Sequence, residues 1–197
     1  MSTNNYIVKE IKKENFSSIY KIHKETFDKT HFLSYLKENL LVKYYEKLII
    51  YNKYCYMIAN EKENEINGFL FAGYKTHFAL NEFTKENKFS IIFALLSHPK
   101  FIVEKIKLVL AKQFNPKLEL KADLRLIIIG VSTQFKGAGM ALKLLQHFEN
   151  EIGVDGAKLY GLSVRKGNQR AINFYLKNKF KIETTFMNSV YFYKDIN

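Results

Sequence analysis

Cysteine is nearly absent. Cys55 is the single one in 197 residues, so no intrachain disulfide forms and a reducing cytoplasm is the expected location. No apolar run approaches the roughly 18 residues that span a bilayer, which excludes a transmembrane helix of ordinary length. The opening stretch, MSTNNYIVKEIKKENF, lacks the apolar core of a signal peptide. Arginine occurs only as Arg125, Arg165 and Arg170, and no basic block exceeds two residues. The net charge of +12, from 31 Lys and Arg against 19 Asp and Glu, therefore reads as a scattered lysine surface. It does not form the stripe expected of a nucleic-acid binder, and no nucleic-acid partner is expected. Histidine and cysteine nowhere cluster at metal-ligand spacing, so no metal is expected. No repeat, low-complexity tract or linker divides the chain, which reads as one domain over 1–197.

What is present is a folded composition, 47% hydrophobic and 15% aromatic. The most informative stretch runs from Leu124 to Glu151. Leu124 to Val131 is an apolar run of strand length rich in Ile, suited to a central strand covered on both faces. From Ala141 the apolar positions Leu144, Leu145, Phe148 and Ile152 recur at helical spacing. Between them lies Gln134-Phe135-Lys136-Gly137-Ala138-Gly139. Glycines there let the backbone approach a ligand, and the first amides of the helix are left without partners. A helix N-terminus favours negative charge, so the turn is suited to a pyrophosphate. It contains no G-x-x-x-x-G-K-[ST], and Leu142 stands where the third glycine of G-x-G-x-x-G would be.

A second block follows. Lys158 to Val164 is a short apolar strand, and Asn168 to Asn178 is a helix capped by Asn168. Together, Q-x-x-G-x-G and L-S-V-x-x-x-N-x-x-A-x-x-x-Y-x-K-x-x-F resemble the two sequence blocks of the GNAT superfamily of N-acetyltransferases. They stand in the family's order, about 30 residues apart, as a helix-plus-strand crossover requires. One departure is Lys179, where the family usually has glycine before the Phe; it concerns the turn ending that helix.

The resemblance implies a mixed, mostly antiparallel sheet flanked by helices, acetyl-CoA as cofactor, and transfer to a primary amine. It also implies a cofactor set: Ile129 and Val131 on the central strand; Gln134, Phe135, Lys136, Gly137, Ala138, Gly139 and Met140 at the turn; Asn168, Ala171, Phe174 and Tyr175 on the later helix. Tyr175 is the implied general acid, a phenol of pKa about 10 facing a thiolate of pKa about 8.5. His31, His77 and Ser163 are candidate acceptor-side residues. Asp123, Ser163 or an ordered water are open choices for the base.

Along the rest of the chain, strands are expected at Tyr6–Lys9, Tyr54–Asn60, Ile66–Tyr74, Phe180–Phe186 and Val190–Lys194. Helices are expected over Phe16–Phe27, over His31–Ile50 as one or two pieces, and over about 82–96 and 100–114. This last pair forms a helical insertion at about 81–114 between the third and fourth strands, read as a hairpin over the sheet edge that bounds the acceptor pocket. A homodimer interface and a basic surface (Lys100, Lys105, Lys107, Lys112) on a membrane are its other readings. The expected acceptor is a small-molecule amine, first among them an amino-sugar, free or nucleotide-linked. A protein N-terminus or lysine is the rival acceptor, and a non-catalytic acyl-CoA sensor is the rival class.

Overall fold

The computed structural model describes residues 6–27, 32–61, 65–104, 107 and 119–196. Its strands are β1 (Tyr6–Glu10), β2 (Tyr54–Asn60), β3 (Ile66–Gly73), β4 (Arg125–Val131), β5 (Leu159–Arg165), β6 (Lys181–Phe186) and β7 (Ser189–Asp195). The helices are α1 (Phe16–Thr26), α2 (Glu38–Tyr51), α3 (Thr76–Glu86), α4 (Lys88–Leu96), the start of α5 (99–104), α6 (Met140–Val154) and α7 (Gln169–Lys177). The seven strands form one sheet in the order β1-β2-β3-β4-β5-β7-β6. Every neighbouring pair is antiparallel except β4 and β5.

Period-two alternation divides the core between the sheet's faces. Tyr54, Tyr56 and Ile58 of β2, with Leu70 and Ala72 of β3, meet Leu144, Leu145 and Phe148 of α6 and Tyr175 of α7. Cys55 and Met57, with Phe69 and Phe71, meet Ile19 and Ile22 of α1 and Leu41, Tyr45 and Leu48 of α2. Covered on both sides, β2 is buried throughout. Each such fully buried side chain contributes about 1.5–3 kcal/mol relative to exposure.

The central strand is irregular where it matters. Phe71 lies opposite Ile128, but the next residue of β3, Ala72, lies opposite Leu126. Ile127 is thus an extra residue, a β-bulge. Its effect shows in the packing: Leu126 joins the α6/α7 side, while Ile128 joins the α1/α2 side. In an unbroken strand these residues, two apart, would share a face.

The insertion differs from expectation in two ways. Its first helix is two helices, α3 and α4, meeting at the buried Asn87, and it begins at Thr76, so Thr76, His77 and Phe78 are helical and not a strand-end loop. α3 packs on α2, through Phe83 against Tyr44 and Lys47 between Glu82 and Glu86, not over the sheet edge. α4 buries Ile91 and leaves Phe89, Ile92, Phe93 and Leu96 exposed. Most of the expected second helix, Lys105 and Lys112 included, lies outside the described residues. The stretch expected as helix from His31 is a 3-10 turn at Phe32–Tyr35, followed by α2.

The turn that closes α7 forms despite its lysine. Lys179 takes φ +66°, the left-handed conformation that glycine adopts without strain. Phe180 N–H donates to the Tyr175 carbonyl at 3.1 Å and Lys179 N–H to the Leu176 carbonyl at 3.1 Å. These are the two bonds of a Schellman turn. A β-carbon in that conformation costs about 1 kcal/mol. Lys179→Gly is accordingly expected to stabilise the protein by about that amount, raising Tm by about 2–4 °C, as read by thermal unfolding; an unchanged or lower Tm would contradict the strain.

Candidate active site

β4 leads into a 3-10 turn at Thr133–Phe135 and then α6. Phe135, Lys136 and Ala138 donate their amides within the turn, to Ser132, Thr133 and Phe135. The first α-helical bond is Lys143 N–H to the Gly139 carbonyl at 2.9 Å. The amides of Gly137, Gly139, Met140, Ala141 and Leu142 therefore have no backbone acceptor among the described residues. Gly137 and Gly139 take φ +88° and +78°, and a β-carbon on either would meet nothing within 4 Å. The amides thus border open space at the positive end of a helix dipole.

Side chains anchor this turn from below. Phe135 packs edge-on against Tyr6, and Met140 is buried, so these two offer a ligand their backbone. Gln134 and Lys136 are exposed. At the strand end, Ser132 Oγ donates to Glu25 Oε2 of α1 at 3.2 Å. Thr26 Oγ1 donates to the Val131 carbonyl at 2.9 Å.

Beyond its first residue β4 leaves β5. Arg125 opposite Gly161 is the single pair in register, with Gly161 N–H donating to the Leu124 carbonyl at 2.9 Å. On its other edge β4 stays paired with β3 as far as Val131. Ser132 N–H donates to the Asn67 carbonyl at 2.8 Å, and bonded and non-bonded pairs alternate along an antiparallel ladder. The backbone N–H and C=O groups of Ile129 and Val131 therefore point towards β5, into the gap. Thr26 occupies the Val131 carbonyl; the rest have no partner among the described residues.

Tyr175 belongs to the apolar cluster on the α6/α7 side that includes Leu126 and Leu162, with Ile129 and Val131 packed against it. Phe174, Phe180 and Phe192 surround its ring. No described residue hydrogen-bonds its hydroxyl, and burial alone pushes its pKa well above the ordinary phenol value. Asn168 is exposed and caps α7, its Oδ1 accepting from Ala171 N–H at 3.1 Å.

A cavity of about 600 Å³ lies at the mouth of the gap, lined by residues from both diverging strands (Arg125, Leu126 and Ile127 on β4, Ser163 on β5). Asp123, Tyr74, Thr76, His77 and Tyr191 complete its polar lining. Two of the three expected acceptor-side residues, His77 and Ser163, thus come together; His31 lies outside the described residues. Sequence reasoning missed Arg125 and Tyr191 as lining residues. The signal for Arg125 was its position, one cation in an otherwise apolar strand.

No family model matches the sequence, and no curated protein matches it significantly. Solved structures do. The PaiA N-acetyltransferase of Thermoplasma acidophilum, crystallised with coenzyme A, superposes with TM-score 0.61 at 13% identity, covering 97% of this chain and 99% of that one. The fold is that of the GNAT acetyltransferases. A Desulfovibrio desulfuricans protein assigned to the GNAT family gives TM-score 0.63 at 8% identity over 98% and 100% of the two chains. The ribosomal-protein-S18-alanine N-acetyltransferase of Escherichia coli gives 0.59 at 13% identity, over 98% and 95%. At these identities the GNAT likeness is one of architecture, and acceptor choice does not follow from it.

No described residue hydrogen-bonds the Tyr175 hydroxyl, so its removal takes away no structural bond. Tyr175→Phe is expected to melt at the same temperature as the parent or higher when no ligand is present. A loss of several degrees would mean that the hydroxyl holds a structural bond.

Proposed function

We propose that this chain transfers an acetyl group from acetyl-CoA to the primary amine of a small molecule, by direct attack while both are bound. The observation that carries this reading is the gap between β4 and β5, where the backbone groups of Ile129 and Val131 turn away from β3, with a polar cavity at its mouth. Bound acetyl-CoA would supply an acetyl thioester. The amides of Gly137, Gly139, Met140, Ala141 and Leu142, with Lys136 beside them, would hold its diphosphate. The free backbone groups of Ile129 and Val131 would pair with its pantetheine arm, and Asn168, Ala171 and Phe174 would border that arm from α7.

Acyl transfer forms a C–N bond and breaks a C–S bond. The amine loses a proton, and the departing sulfur gains one. The Val131 amide would polarise the thioester carbonyl. Burial keeps the Tyr175 phenol protonated throughout the working pH range, which suits a donor to sulfur. Asp123 and His77, in the cavity, are the groups we assign to take the amine proton, with Ser163 beside them.

Direct attack is favoured over a covalent cysteine intermediate by the state of Cys55. It is buried in β2, and burial pushes its thiol up to about 12, so little thiolate exists near neutral pH. In the native protein Cys55 is expected to resist an aromatic disulfide reagent at pH 8 and to react fully once unfolded. Rapid native labelling would reopen the covalent route.

Thiol release from acetyl-CoA, measured against a panel of primary amines, tests the activity. Turnover with initial rates that intersect in double-reciprocal plots is expected. Tyr175→Phe should lower kcat by about 100-fold or more with coenzyme A affinity kept. Tight cofactor binding with no amine accelerating thiol release would instead identify an acyl-CoA sensor.

A further inference from the structure

We propose that Arg125 is an anchor for an oxyanion on the acceptor, so that the amine substrate also carries a carboxylate or a phosphate. This deepens the acetyltransferase reading and rests on it for the identity of the cavity as the acceptor site.

Arg125 opens β4 and lines the cavity, beside the one pairing that joins β4 to β5. Its guanidinium lies across Gly161 of β5, where a β-carbon would collide with it. The glycine is thus what lets the side chain lie there. Among the described residues no acceptor hydrogen-bonds it and no carboxylate reaches it as an ion pair. Nη1 is buried without a partner.

The nearest negative charge does not satisfy it. Glu183 of β6 raises the Arg125 pKa, as does Tyr191, but burial outweighs both and the net shift is downward. Glu183 Oε1 accepts from the Lys121 amide, and its Oε2 is also buried without a partner. A guanidinium offers five donors in a fork that matches an oxyanion. Keeping one partly buried and unpaired is costly, and an anion arriving with the acceptor would remove that cost.

The rest of the lining suits the other end of such a molecule. Asp123 and His77 border the same cavity, with a carboxylate to meet an ammonium before it loses its proton. A cation and a carboxylate lining one cavity select an amine that is itself zwitterionic. A plain polyamine would meet Arg125 with like charge.

The test is calorimetric titration of the full chain, with and without coenzyme A, using two matched pairs of probes. L-lysine and cadaverine differ by a carboxylate; glucosamine 6-phosphate and glucosamine differ by a phosphate. The anionic member of at least one pair should bind about ten- to a hundredfold tighter than its partner, and the responding pair identifies the anion. Arg125→Met should abolish that preference, keep coenzyme A affinity, and melt no lower than the parent because an unpaired cation has been removed. Equal or absent binding within both pairs would overturn the proposal, as would a preference that survives Arg125→Met or a markedly lower melting temperature of that variant. Because no turnover is read, a failure here is separate from a failure of acetyl transfer, which the thiol-release assay reports.

Discussion

The Arg125–Gly161 pair, with Gly161 N–H donating to the Leu124 carbonyl, is where the two halves of the sheet join. At that point β4 and β5 are parallel neighbours; past it they separate. The bulge at Ile127 sits two residues beyond the Arg125–Gly161 pair, and bulges bend a strand and increase its twist. Had β4 been regular, it could have run on beside β5, and the backbone groups of Ile129 and Val131 would have been used up in a ladder. The irregularity instead keeps them available inside a closed fold. Such groups are costly when buried and unmet, which is why a gap of this kind points to a ligand.

The two sides of the gap differ in chemistry. On the α6/α7 side the surroundings are apolar, and Tyr175 sits among aromatic rings with burial holding it protonated. At the mouth, polar and charged groups gather around the cavity. Partial positive charge collects at the N-terminus of α6, next to exposed Lys136. A molecule with an anionic diphosphate at one end and an acyl group at the other would find the matching environment at each point along this route. The excess of lysine over the whole surface adds attraction for any polyanion.

Of the described part of the insertion between β3 and β4, the first turn of α3 lines the cavity. Phe83 packs on α2, Phe101 packs on Phe32 and Tyr35, and Phe89, Ile92, Phe93 and Leu96 stay exposed along α4. The solved structures that share the GNAT fold include one named for a ribosomal protein as acceptor and another named PaiA. A shared fold does not fix the acceptor.

Local signals in the chain were enough to place most elements. The Ile-rich run of β4, the helical spacing of α6 and the Asn168 cap each follow from backbone geometry and burial that act within a few residues. They led to the GNAT fold, and to the turn at Gly137 and Gly139, where positive φ is observed. The bulge, the parting of β4 from β5, the break at Asn87 and the packing of α3 on α2 were not legible, since each depends on pairing and contacts between segments far apart in sequence. Lys179 shows tertiary context overriding local preference, since the turn forms without glycine. Arg125 shows the same division. Its place in an apolar strand was visible from the start. That it lies across Gly161 without a partner, facing the cavity that also holds His77 and Ser163, was decided only when three distant strands and a helix were brought together.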